Sequence, residues 1–140
     1  MMSDLDKYHE LTIYTLSLGD TEFIHQHMVD AYAAQTADNS TKPMRLFFSL
    51  AGLYLFVEKN YSGRRVQQAH QKMASKTKNF IKINLPKNRG KISIADVLKE
   101  PAGSERNLMI NKWAESVWTA YSNEHEKVIH ETNKWLFSLV

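Results

Sequence analysis

The sequence predicts an all-α single domain, a bundle of four to five main helices, and three observations carry that expectation. Apolar residues recur every three or four positions along most of the chain, as at Leu5, Tyr8, Leu11 and Leu16. Helix-stop and helix-start residues divide these stretches, notably Gly19, Pro43, Ser62-Gly63, Pro101 and Ser104. Strand-like alternation is confined to Phe80 to Leu85, so residues 79–94 read as a short irregular segment or a brief hairpin.

The first helix is expected over roughly 5–18, with Gly19 free to take the positive φ that closes a helix. Asp20 or Thr21 then caps a second helix through Gln35, with Glu22 in the first turn where the helix dipole favours an anion. Pro43 suits the first turn of a third helix, about 42–59, where its missing N–H costs nothing. This helix contains Leu46 to Val57, which is apolar nearly all round and is read as the centre of the bundle. Ser62 caps a fourth helix that turns Val66, Ala69 and Met73 inward and Arg65, Lys72 and Lys76 outward. Ser93 and Asp96 have the spacing of a capping box for a short helix that Pro101 stops. From Ser104 onward Leu108, Trp113, Val117, Tyr121, Val128 and Trp135 keep helical spacing, with Trp113 and Trp118 as core anchors. Unbroken, that last helix would be about 50 Å long, more than so small a domain can cover, so it bends near Tyr121 to Asn123 or projects into a partner.

At 140 residues the chain, 1–140, is one domain of common size, 43% hydrophobic and 24% charged, with the composition of an ordinary globular protein. There is no cysteine, which removes disulfides and thiol nucleophiles and leaves histidine, carboxylate or water to hold any metal. The 12-residue run Leu46 to Val57 is short of the ~18 to 20 that a membrane span needs. No secretory signal pattern opens the chain, and a cytoplasmic location with no membrane partner is expected. The net charge of +3 hides an asymmetry: residues 59–91 hold ten Lys or Arg and no Asp or Glu, while the other 107 carry eight bases against fifteen acids. That basic middle either neutralises itself against the acidic remainder or binds an anion.

Residues Glu22 to Gln35, EFIHQHMVDAYAAQ, concentrate the polar chemistry. Glu22, His25, Val29 and Tyr32 fall on one helical face, and His27, Asp30, Ala31 and Ala34 on another. Two positions apart on a helix is roughly 200° of rotation, so His25 and His27 cannot share one ion. His25 is taken as the core-facing ligand, joined by His125 from the last helix and by His9 or Asp30, with water in the open positions, around one divalent ion such as Zn, Mn, Fe or Ni. Asp30, Glu22 and Tyr32 are the candidates for proton handling, and Gln35 with Tyr32 for holding a ligand. Glu124 and Glu126 read as solvated. No G-x-S-x-G, G-x-G-x-x-G or phosphate loop is present. Arg65, Lys72 and Lys76 offer a weak anion or nucleic-acid surface, with nucleic acid disfavoured by the low net charge. The two function classes that follow are a metal-assisted hydrolase or transferase and a non-enzymatic interaction module, self-association included.

Three ordered motifs, His25-Gln26-x-x-Val29-Asp30-x-Tyr32-Ala33-x-Gln35, Arg89-Gly90-x-Ile92-Ser93-Ile94-Ala95-Asp96-Val97-Leu98 and Trp113-Ala114-x-x-Val117-Trp118-x-Ala120-Tyr121-x-x-x-His125, resemble an uncharacterised bacterial family of small helical proteins of unknown function. The resemblance implies one polar site built from His25, Asp30, Tyr32, Gln35 and His125 between the second and last helices. In the family pattern a histidine follows the glutamine and another sits in the third helix, and many relatives begin with a cysteine-containing segment. Here Thr36 and Ser49 take the histidine positions and there is no cysteine, so the resemblance also implies that a metal centre would be incomplete in this chain.

Overall fold

The structure, a computed structural model, describes residues 2–76 and 81–137. Seven α-helices occur among them: α1 (Asp4–Ser17), α2 (His25–Thr36), α3 (Pro43–Lys59), α4 (Gly63–Ala74), α5 (Ile94–Lys99), α6 (Ser104–Ala120) and α7 (His125–Phe137). A single bundle is retained, with more helices than the four or five expected, because the last apolar stretch is two helices. The described part of 79–94 forms no strand, and any pairing with residues 77–80 lies outside the described residues.

Sequence signals account for most helix ends. Ser3 closes a capping box with Asp6 on α1, and Gly19 takes φ 59° just beyond that helix. Ser93 and Asp96 form the expected capping box on α5. Ser62 accepts the Arg65 N–H at the start of α4, but Ser104 is the first residue of α6 and Gly103, at φ 113°, is its cap. The start of α2 departs furthest from expectation. Phe23 adopts φ 55°, so Asp20 to Ile24 is a turn, and Glu22 lies outside the helix. Asp20 still serves the helix start, its carboxylate accepting the Ile24 N–H at 2.9 Å. The turn is held by α4: the Arg64 N–H donates to the Glu22 carbonyl at 3.2 Å, and a Cβ on Gly63 would stand 1.8 Å from the Phe23 carbonyl oxygen. Only glycine permits that approach.

Helix α3 is the hub. It buries Leu46, Phe47, Leu50, Leu53 and Leu55 among others and packs against α2, α4, α6 and α7. Each such side chain contributes roughly 1.5–3 kcal/mol by leaving water. Trp113, Trp118 and Tyr121 bring α6 onto this core. Helix α1 is more loosely attached, burying Leu11 and Thr15 while Leu5, Ile13 and Leu16 stay exposed. No helix among the described residues is long and apolar enough to cross a membrane.

The break between α6 and α7 has a visible cause. The Tyr121 hydroxyl donates to the Ala34 carbonyl at 2.6 Å, and the Glu124 N–H turns back to the Tyr121 carbonyl at 2.8 Å. A 3-10 turn over Ser122–Glu124 then redirects the chain across α3 and α4.

Candidate functional site

With Glu22 out of the helix, the face of α2 that enters the core is the one carrying His27, Asp30, Ala31 and Ala34, all buried. His25 is half-buried and turns toward α1, where its Nδ1 lies 2.9 Å from the Thr15 hydroxyl. Tyr32 is also half-buried and stacks on Tyr8 of α1, ring centres 4.3 Å apart. His9 is exposed, and Glu22 is exposed outside the helix. Of the expected grouping on one helical face, His25 and Tyr32 remain together on the side of α2 toward α1, and Glu22 leaves it. The premise of the full grouping, a regular helix from Thr21, fails at Phe23.

On the buried face, α2 and α3 run antiparallel, with His27 opposite Phe56 and Asp30 opposite Gly52. The His27 ring stacks on Phe56 at 3.8 Å. Asp30 Oδ1 accepts from Gln26 Nε2 at 3.1 Å, and Oδ2 lies against the bare backbone of Gly52, where a Cβ would stand 2.0 Å from it and 3.1 Å from His70 Nε2. His70 Nε2 donates to the Phe48 carbonyl at 2.8 Å. Oδ2 of Asp30 and Nδ1 of His27 are buried with no hydrogen-bond partner. Burial pushes the Asp30 carboxyl well above the usual carboxylate range, against the opposing Gln26 bond. Burial likewise lowers His27 to about 4, against the attraction of Asp20, and lowers His70 despite its bond to Phe48. Burial thus disfavours the charged form of each of these three groups.

Gln35 occupies a different position, at the C-terminal end of α2. Its Nε2 donates to the Ile92 carbonyl at 2.8 Å and the Arg89 carbonyl at 3.3 Å, and its Oε1 accepts from Trp113 Nε1 at 2.9 Å. Arg89 in turn donates to the carbonyls of Pro86, Gln35 and Ala37. With Tyr121 on the Ala34 carbonyl, the carbonyls that end α2 are served by an arginine and a tyrosine instead of a C-terminal glycine. A cation at that helix end is also favoured by the dipole. The three sequence motifs thus meet in one clasp that fastens α2, the 81–93 segment and α6, and the Gln35 amide is occupied within the chain. The sequence signal for it was present, in the joint occurrence of Gln35, Arg89 and Trp113, but its chemistry reads equally as ligand binding until the partners are seen.

His125 lies at the start of α7, its ring stacked on Trp118 at 3.7 Å and its Nε2 donating to the Trp118 carbonyl at 2.7 Å. Trp118 Nε1 donates to Glu58 at 2.7 Å. His25 and His125 have these separate partners, and among the described residues no three His, Asp or Glu side chains are grouped to hold a metal ion. The donor set does not fit the divalent ion, whether Zn, Mn, Fe or Ni, that the histidines suggested. Thr36 is exposed and bonds the Tyr32 carbonyl, and Ser49 is buried on the Leu46 carbonyl. Glu124, expected to be solvated, is buried and accepts the Asn84 N–H at 2.7 Å and Lys127 Nζ at 2.9 Å. Burial pulls its carboxyl up, and the Asn84 N–H and Lys127 together pull it further down. Glu126 is exposed.

The described bases of the basic segment are not neutralised by ion pairs within the chain. Among the described residues the ion pairs are Lys7 with Asp4 and Lys127 with Glu124, and neither involves residues 59–91. Arg65 lies over the Tyr61 ring at 3.8 Å and, with Lys72, borders a cavity of about 210 Å3 floored by Ala69, Leu136 and Phe137. Lys76 follows the end of α4, half-buried.

The fold and these sites define a small helical bundle with a buried polar corner at Asp30, a side-chain clasp at Gln35 and a run of bases that make no ion pair among the described residues. The chain belongs to the Family of unknown function (DUF5946), whose model matches residues 5–122. No curated protein and no solved structure matches it.

Proposed function

We propose that the protein is a non-enzymatic interaction module whose basic 59–91 face receives an acidic segment of a partner protein. The observation that carries this reading is that, among the described residues, none of the bases from Lys59 to Lys91 is ion-paired within the chain. Arg89 alone among them is committed to backbone carbonyls. Charges left unpaired on one face raise the on-rate and specificity for a partner of opposite sign. Apolar surface beside these bases, at Tyr61 and Phe137, suits a polypeptide with alternating chemistry. The residues first considered for a metal-assisted reaction, His25, His125 and His9 with Asp30, Glu22 and Tyr32, have the dispersed placements described above and lend no support to that route.

Binding to poly-L-glutamate by fluorescence anisotropy tests the reading. Binding at low salt that weakens as salt rises, and that weakens by about tenfold or more in the double variant Arg65→Glu, Lys72→Glu, is expected. Equal binding by the double variant, or no binding at all, would contradict it. Tighter binding of duplex DNA than of polyglutamate would point instead to a nucleic-acid partner.

A further inference from the structure

We infer that residues 81–85 form an open strand edge to which an extended acidic peptide adds as a neighbouring strand, an inference that rests on the acidic-partner reading above and gives the partner a second contact, apart from Arg65 and Lys72. Burial alternates along this segment: Ile83 is buried, Ile81 and Leu85 are half-buried, and Lys82 and Asn84 are exposed. That period of two belongs to an extended chain. In such a chain the N–H and C=O groups of alternate residues point to opposite edges. One edge is occupied: the Asn84 N–H goes to Glu124 at 2.7 Å and the Lys82 carbonyl to Lys127 at 3.1 Å, both at the start of α7. The other edge is open, since the backbone groups of Ile81, Ile83 and Leu85 make no hydrogen bond to the chain among the described residues.

Across the segment from Pro43 and Leu46 lies a cavity of about 520 Å3, bordered also by Asp38, Asn39 and Thr41. That volume is in the range of ligand-binding clefts. Backbone groups must find partners, and an incoming strand supplies them along its whole length. The charge around the cleft selects the side chains of that strand. Lys82 borders this cavity, and Lys42 and Arg45 border an adjoining one that shares Asp38 and Thr41 with it; all three are exposed and make no ion pair, while the carboxylate of Asp38 is turned onto the Ser40 N–H at 2.8 Å and the Ser40 hydroxyl at 2.6 Å. The occupant that satisfies edge, floor and rim together is an extended peptide with apolar residues toward Leu46 and acidic residues toward the bases.

The probe is a capped hexapeptide alternating valine and glutamate, added to the full chain while amide hydrogen exchange is followed by NMR. Exchange at Ile83 and Leu85 is expected to slow by about tenfold or more, with Asn84 unchanged because its N–H already has a partner. N-methylation of alternate peptide residues removes backbone donors and weakens binding by a similar factor, and so does the surface variant Arg45→Glu, Lys82→Glu. Binding of the hexapeptide with no change at Ile83 and Leu85, or binding of polyglutamate without the hexapeptide, overturns the strand edge and leaves the acidic-partner reading standing. Failure of both probes overturns both.

Discussion

Asp30 and Gly52 depend on each other at the level of single atoms. A methyl group at residue 52 would meet the buried carboxyl at 2.0 Å, so Gly52→Ala forces Asp30 and α3 apart and is predicted to cost roughly 1–3 kcal/mol. Removing the obstacle with Asp30→Ala in the same chain should recover part of that loss, so a double-mutant cycle in urea gives a non-additive result. Additive losses would mean that the contact is not the cause. The pH dependence divides between two neighbours. His27 has a folded pKa of about 4 against 6.5 unfolded, so its contribution to stability is present above pH 6.5 and is lost as the pH falls toward 4. Asp30 has the opposite sign: its folded pKa is raised, so its contribution is full below the unfolded carboxyl value and is lost as pH rises through the folded one. His27→Gln should therefore flatten the acid side of the stability profile and Asp30→Asn the alkaline side, as read from urea midpoints across pH. Parallel profiles would contradict these assignments. At this scale the sequence separated the two faces of α2 but pointed to the wrong one as buried. The loss of Glu22 from the helix traces to Phe23, whose positive φ lies where Gly63 of a distant element makes its close approach.

A clasp at the end of α2 fastens that helix to the 81–93 segment and to α6. Gln35→Ala would leave the Trp113 N–H and two carbonyls without that partner, and Arg89→Ala would release three carbonyls. Each is predicted to lower stability by roughly 1–3 kcal/mol, and Arg89→Lys should recover little, because an ammonium cannot reproduce a planar fork of donors. Urea midpoints check this, and full recovery in the lysine variant would refute the geometry. Helix existence was legible almost everywhere, since periodicity and capping boxes are local. The split of the last segment was legible as a choice between bending and projecting, and Tyr121 decides it through the Ala34 carbonyl, 87 residues away in sequence. The role of Gln35 was not legible, because an amide that binds a ligand and one that binds its own backbone have the same local sequence.

The whole molecule places its chemistry in an uneven charge distribution around a conventional core. Ten bases without an acid between residues 59 and 91 could have been absorbed by the fifteen acids elsewhere, and counting alone leaves that open. The fold leaves the described bases of that segment without ion pairs, and residues 81–85, with their alternating burial, lie within it. Association with an acidic partner should accordingly weaken with salt much more than folding does, since core burial is insensitive to screening. The most direct test of the account is to map amide NMR shifts on adding the valine-glutamate hexapeptide. The account predicts shifts clustered at residues 81–85 and at Asp38 to Arg45, lost in the Arg45→Glu, Lys82→Glu variant. Shifts confined to the Arg65 and Lys72 side of α4 would contradict the strand edge, and shifts confined to surfaces away from both, or a peptide that leaves the spectrum unchanged, would contradict the account as a whole.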